Sequence, residues 1–157
     1  MDGFWFLFNH FDWRIAVPYD YPVFALITLW IGLALKLPLV RSLLRPNWRT
    51  IVLTDLAMNG ASLVVDLVAI PTAALLWGLL MDGAGMPQTG ATRTGHVLVT
   101  AMTVALVRTQ VERFGIRRVL HESFGGTSYW WLYCANLTSL LCGLAGVLLH
   151  LTQRRGI

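Results

Sequence analysis

A stripe of polar side chains interrupts an apolar stretch of the chain, LTDLAMNGASLVVDLVA at residues 53–69. Its members are Asp55, Asn59, Ser62 and Asp66. Their intervals of four, three and four residues place all of them along one edge of a helix. A carboxylate there could bind a proton or a cation, or pair with a basic side chain, but it is too costly to expose to lipid hydrocarbon. We therefore expect the stripe to face other helices, water or a partner subunit.

The two carboxylates of the stripe lie at different depths in the predicted helix. Asp55 is about one turn inside the helix, whereas Asp66 is about four turns in, near or past the centre of a bilayer. At the depth of Asp55 we predict a polar cluster in which the carboxylate balances the charge of Arg108, because an arginine side chain stays protonated. Its expected role is to hold helices together. The cluster comprises Asp55, Asn59, Arg108, Asn136 and Ser139.

Asp66 has no basic residue of this chain clearly at its predicted depth. Its expected neighbours are the hydroxyls of Thr100 and Thr103 on the next helix, with His96 further along. Without a cation nearby, the carboxyl group is expected to favour its protonated form. Two interpretations stay open. Asp66 either binds a proton or cation, or it is a structural acid bonded to a threonine or to a basic residue of another subunit.

Two histidines at one membrane face form a further candidate site. His96 begins the third predicted span and His150 ends the fourth. Facing histidines on adjacent helices can ligate a b-type haem through their ring nitrogens. Histidines at helix ends are also common without any ligand, and haem ligands usually lie deeper. A haem or pigment is therefore a minor alternative, and no other metal site is predicted.

No catalytic motif accompanies these residues. The sequence lacks GxSxG, HExxH and a phosphate-binding P-loop. Cys134 and Cys142 are spaced neither as a redox pair nor as metal ligands. The pattern favours a protein that is not an enzyme.

The composition indicates where these side chains reside. Of 157 residues, 56% are hydrophobic and only 13% are charged, whereas soluble domains carry about 25% charged residues. This composition predicts an integral membrane protein with room for four spans of about 20 residues each and no separate soluble domain. The net charge of +4 favours bound anionic lipid over nucleic acid as a partner.

The hydropathy pattern predicts an all-α fold, with four transmembrane helices in an antiparallel bundle over residues 21–157. The spans are placed at about 23–44, 51–80, 96–113 and 129–151. Residues 1–20 mix aromatic and polar side chains, which predicts a short amphipathic helix lying in the membrane interface. Lys36, in the last third of the first span, is expected to extend its ammonium group toward the basic end of that helix.

Orientation follows from the basic residues near the span ends. Seven of them lie around the first and third connections, at Lys36, Arg41, Arg45, Arg49, Arg113, Arg117 and Arg118. Four lie on the opposite side, at Arg14, Arg93, Arg154 and Arg155. The positive-inside rule then predicts that the first and third connections are cytoplasmic and that both termini face the periplasm or exterior of a bacterial inner membrane.

Three functional hypotheses follow. The first is a non-catalytic subunit of a larger membrane complex, respiratory or photosynthetic, because the chain has tiny loops and buried polar groups that need partners. The second is a small oligomeric transporter or channel coupled to protons or cations through Asp66. The third is a haem or quinone carrier that uses His96 and His150. All three imply contacts with membrane lipids and with other subunits or further copies of this chain.

Overall fold

A computed structural model describes residues 13–43, 47–87, 89–120 and 125–154. These residues form four helices and contain no strand. The helices are α1 (Trp13–Leu43), α2 (Trp48–Gly83), α3 (Gly90–Leu120) and α4 (Gly126–Arg154). Consecutive helices pack against each other, and α4 also packs against α1, so the four helices form a closed ring.

Local sequence explains the helix ends. The side chain of Asn47 accepts a hydrogen bond from the amide of Arg49 at 3.2 Å and so caps α2. At the start of α3, the backbone amide of Thr89 donates to the Thr92 hydroxyl at 2.9 Å and the amide of Thr92 donates to the Thr89 hydroxyl at 3.3 Å, which is a reciprocal capping box. Gly85, just after α2, has a φ of 63°, a backbone conformation that glycine adopts without strain.

The N-terminal prediction falls mostly outside the described residues. Of the expected interfacial helix at 1–20, residues 1–12 are not described, and residues 13–20 form the first turns of α1. The third helix is longer than the predicted span at 96–113, because α3 begins at Gly90 and continues for about two turns beyond Arg113. α2 also continues through Pro71 without a break.

Three of the four helices are long and apolar enough to cross a membrane. The segments that meet this condition are Pro22–Ser42, Trp48–Met81 and Gly126–Val147. α3 does not meet it, since its second half alone carries Arg108, Glu112, Arg113, Arg117 and Arg118. The described residues therefore show an all-helical fold with three candidate membrane spans.

Two apolar clusters fill the interior, one toward each end of the ring of helices. The first contains Leu39, Val40, Ile51, Met58, Ile116 and Leu132. The second contains Phe24, Ala73, Val104, Ala105, Leu140 and Val147. Along α2, α3 and α4, most of the buried polar residues lie between the two clusters, whereas Asp55 lies between Ile51 and Met58 of the first cluster and Thr100 precedes Val104 of the second. The polar side chains thus form an interior layer enclosed by apolar packing at both ends.

Gly143 permits the close approach of α4 to α1. A Cβ atom at this position would overlap the Thr28 hydroxyl and lie 2.8 and 2.9 Å from two ring carbons of Phe24. We therefore expect Gly143→Ala to lower the free energy of unfolding by about 1–3 kcal/mol, measured by thermal melting in detergent. Gly115→Ala is the matched control, because a Cβ there meets no atom within 4 Å. It should be neutral or stabilise α3 by up to about 1 kcal/mol. Equal melting temperatures for the two variants would contradict this account of the contact.

Candidate functional site: a buried polar layer

Asp66 and Arg108 form an ion pair in the centre of the polar layer. The Arg108 Nε donates to Asp66 Oδ1 at 2.6 Å, and a terminal nitrogen of the same guanidinium pairs with Oδ2. A second terminal nitrogen donates to the Ser139 hydroxyl at 3.3 Å. Both charged residues are 1% exposed. The geometry is the two-pronged arginine–carboxylate pairing that holds both groups in a fixed orientation.

This pairing corrects two predictions from the sequence. Arg108 was expected to compensate Asp55, and Asp66 was expected to have no cation at its level and to lie beside Thr100 and Thr103. The error came from counting depth from the far ends of two predicted spans of unequal length, whereas the connection between α2 and α3 sets their register. Asp66 lies about five turns before the end of α2, and Arg108 lies about five turns after the start of α3, so the two are level.

The two threonines are used differently from the prediction. The Thr103 hydroxyl accepts a bond from the indole nitrogen of Trp77 at 2.9 Å and donates to the Val99 carbonyl at 2.8 Å. The Thr100 hydroxyl is buried without a hydrogen-bond partner. Neither hydroxyl bonds to Asp66.

Glu112 is the acceptor on which the other half of the polar layer converges. Its Oε1 pairs with the Lys36 ammonium and accepts a bond from the Ser62 hydroxyl. Its Oε2 accepts a bond from the Asn136 amide at 2.9 Å. The same amide donates to the Thr109 hydroxyl at 3.1 Å. One carboxylate thereby joins side chains from α1, α2 and α4.

Glu112 was missed in the sequence, and Lys36 was misplaced. Lys36 does not extend to the surface as predicted. It is fully buried, because a counter-charge on α3 lies at its level. Glu112 was overlooked because it is followed by Arg113 and a run of basic residues that resembles a surface collar. Its position four residues after Arg108, on the same helical face, was the available signal.

Asp55 is the third carboxylate of the layer and is held differently from the other two. Its Oδ1 accepts a bond from the Asn59 amide at 2.9 Å. That amide also donates to the Asp55 carbonyl oxygen at 2.9 Å. Oδ2 is buried without a hydrogen-bond partner, and the residue is fully buried. Gly32 of α1 lies so close that a Cβ on it would overlap the Asn59 side chain.

The charges of the layer do not balance among the described side chains. Three buried carboxylates, Asp55, Asp66 and Glu112, accompany two buried cations, Lys36 and Arg108. Each cation forms an ion pair with one carboxylate, and these are Asp66 and Glu112. Asp55 interacts electrostatically with Lys36 and Glu112 at longer range. It is therefore the one acid of the layer without an ion-pair partner of its own.

The two histidines lie away from this layer, near one end of α3 and of α4. The His96 ring donates from Nε2 to the Ala74 carbonyl at 2.9 Å, so α2 fixes its orientation. The Nε2 atom of His150 is buried without a hydrogen-bond partner. Within the described ranges, no three His, Cys, Asp or Glu side chains are grouped to hold a metal ion. The haem hypothesis stays a prediction, which a Soret band in the purified protein would test.

No protein family, curated protein or solved structure is significantly similar to the chain. The polar layer is therefore the feature of this chain that bears on its function.

Proposed function

We propose that this chain is an integral membrane protein whose four helices all cross the bilayer, and that Asp55 binds a proton or small cation whose movement is coupled to transport. We include α3 among the membrane-spanning helices because its charged side chains in this part of the helix lie inside the ring of helices. Arg108 and Glu112 are buried inside the ring of helices. The exposed side chains of the same stretch are largely apolar, at Leu98, Met102, Leu106, Val107, Val111 and Phe114. A helix of this kind can face lipid despite its low overall hydropathy.

Short connections support an antiparallel arrangement of the proposed spans. The stretches between consecutive helices are 44–47, 84–89 and 121–125. Even fully extended, about six residues reach only about 20 Å, which is less than the hydrocarbon thickness of about 30 Å. Consecutive helices that span the membrane must then run in opposite directions. The basic ends of α1 and α3 would face the cytoplasm of a bacterial inner membrane, and both termini would face outward.

The observation that carries the functional proposal is the buried, unpartnered Oδ2 of Asp55. A carboxylate oxygen without a donor is costly in a low-dielectric interior unless a proton or cation occupies it. The other two carboxylates of the layer are committed to ion pairs. Asp55 alone can exchange a bound proton or cation without breaking such a pair. Buried ionisable groups of this kind mark proton and ion pathways in membrane proteins.

Proton uptake into vesicles tests the proposal. We expect the reconstituted protein to acidify vesicles under an imposed membrane potential, read with a pH-sensitive dye. Asp55→Asn should reduce uptake to the level of empty vesicles without lowering the melting temperature, because it removes the unpaired charge. Asp82→Asn makes the same chemical change at the end of α2 and should leave uptake unchanged. The function is refuted if the wild type moves neither protons nor alkali cations, or if Asp55→Asn transports normally.

A second candidate, the accessory subunit of a larger complex, is favoured by the outer face of α2. Only 11% of the most apolar stretch of α2 is buried within this chain. Leu53, Val64 and Val68 are each at least 65% exposed. Lipid or a neighbouring subunit would cover such a surface. Mass spectrometry after purification in mild detergent distinguishes the two functions, since a protein that runs only with copies of itself is not an accessory subunit.

A further inference from the structure

Five arginine side chains outside the interior layer gather at one end of the molecule. These five lie at the end of α1, the start of α2 and the end of α3. They are Arg41, Arg49, Arg113, Arg117 and Arg118. A cluster of positive charge of this kind attracts anionic partners.

Arg113 differs from the other arginines of this end because its guanidinium is held in place. The carbon of the guanidinium lies 5.5 Å from the centroid of the Tyr129 ring at the start of α4, within range of a cation–π interaction. The Tyr129 hydroxyl in turn accepts a bond from the Gln110 amide at 3.1 Å. The Nε atom of Arg113 is buried and has no hydrogen-bond partner. The Arg113 side chain as a whole is partly exposed, and a guanidinium held by a ring in this way can donate to an anion from its terminal nitrogens.

Two exposed aromatic side chains follow Arg113 and Tyr129 directly in the sequence. Phe114 is 67% exposed and Trp130 is 63% exposed. The Trp130 ring packs edge-on against Tyr129, with the ring centroids 6.0 Å apart. Arg117 follows Arg113 by four residues and therefore lies on the same face of α3, one turn nearer the end of the helix. Positive charge at the helix end thus adjoins exposed apolar rings.

We propose that Arg113, Arg117 and Tyr129 form a binding site for the phosphate of an anionic phospholipid, with Phe114 and Trp130 against its acyl chains. The chemistry fits because a guanidinium can donate two bonds to one phosphate, and because aromatic rings favour the boundary between headgroups and hydrocarbon. The site depends on membrane insertion, but it is independent of proton or cation binding at Asp55. Failure of either proposal therefore leaves the other standing.

Lipid titration of the purified full-length protein tests the site. Phosphatidylglycerol and phosphatidylcholine with identical acyl chains are added in detergent, and bound lipid is quantified by native mass spectrometry. We expect Arg113→Gln to weaken phosphatidylglycerol binding by about five- to tenfold, as for loss of one basic contact near a membrane surface. Tyr129→Leu, which removes the ring, should have a similar effect, whereas Tyr129→Phe should bind as the wild type does.

Controls separate a built site from diffuse attraction. Arg41→Gln removes the same charge from the same end of the molecule without altering the contact between Arg113 and Tyr129, and should change binding by less than about twofold. The proposal is overturned if the two lipids bind equally, or if Arg41→Gln is as damaging as Arg113→Gln. It is also overturned if inorganic phosphate at equal concentration displaces the lipid, because the site would then recognise a free anion. Melting temperatures of all variants confirm that each is folded before its binding is compared.

Discussion

Asp66→Asn is expected to lower the free energy of unfolding by about 3–5 kcal/mol, because it leaves the Arg108 guanidinium buried without its counter-charge. Arg108 is 1% exposed and donates two bonds to the Asp66 carboxylate. Asparagine preserves the size of the side chain but removes the charge and one acceptor. The loss can be measured by denaturant titration or thermal melting of the purified protein in detergent.

A double variant separates loss of the pair from damage to the site. Asp66→Leu combined with Arg108→Met removes both charges and fills the space with apolar atoms, and such replacements are often neutral or stabilising. We expect the double variant to recover most of the stability lost in Asp66→Asn. Asp55→Asn is the matched control for the chemical change, since Asp55 has no ion-pair partner of its own and should tolerate neutralisation. If Asp66→Asn melts like the wild type, or the double variant is no better than the single one, the ion pair is not what stabilises this layer.

The position of the polar stripe on α2 was predictable from sequence. Its spacing indicates one helical edge, and a carboxylate cannot face lipid cheaply, so burial follows from local pattern and general energetics. The structure buries all four side chains, from Asp55 to Asp66, at 4% exposure or less. The apolar character of α1, α2 and α4 was equally legible, because hydropathy is a property of each segment by itself.

The partners of the stripe were not predictable in the same way. Which cation meets Asp66 depends on the relative register of α2 and α3, and an error of one or two turns in that register shifts every pairing. Arg108 was therefore assigned to the wrong carboxylate. Glu112 shows a second limit. A buried acid that precedes a basic helix end has the same local sequence as an acid on the surface. Glu112 is recognised as buried only because Lys36 of α1 pairs with it in the folded protein.

In the half of the layer around Glu112, we expect Glu112→Gln to destabilise the protein more than any other substitution that removes a charge. It removes the charge that compensates Lys36, which is fully buried. The amide oxygen of glutamine can still accept from Ser62 or Asn136, so the loss isolates the charge rather than the hydrogen bonds. Removing one partner of a buried pair costs about 3–5 kcal/mol, again measurable as a loss of stability in detergent.

The Glu112→Gln variant also tests the proposed role of Asp55. Asp55 is the remaining carboxylate that interacts with Lys36, so it is expected to become the counter-charge of the lysine. A carboxylate held in that role would no longer exchange its proton or cation freely. Glu112→Gln should therefore lose proton uptake together with stability, whereas Asp55→Asn should lose uptake alone.

Removing the lysine charge as well provides the decisive control. Lys36→Met combined with Glu112→Gln leaves no uncompensated cation, so it should recover most of the lost stability. It also frees Asp55 from the lysine, so uptake should return at least in part. If the double variant regains stability but not uptake, Lys36 or Glu112 itself takes part in transfer and Asp55 is not the sole exchanging group. If neither stability nor uptake returns, the Lys36–Glu112 pair does not organise this half of the layer.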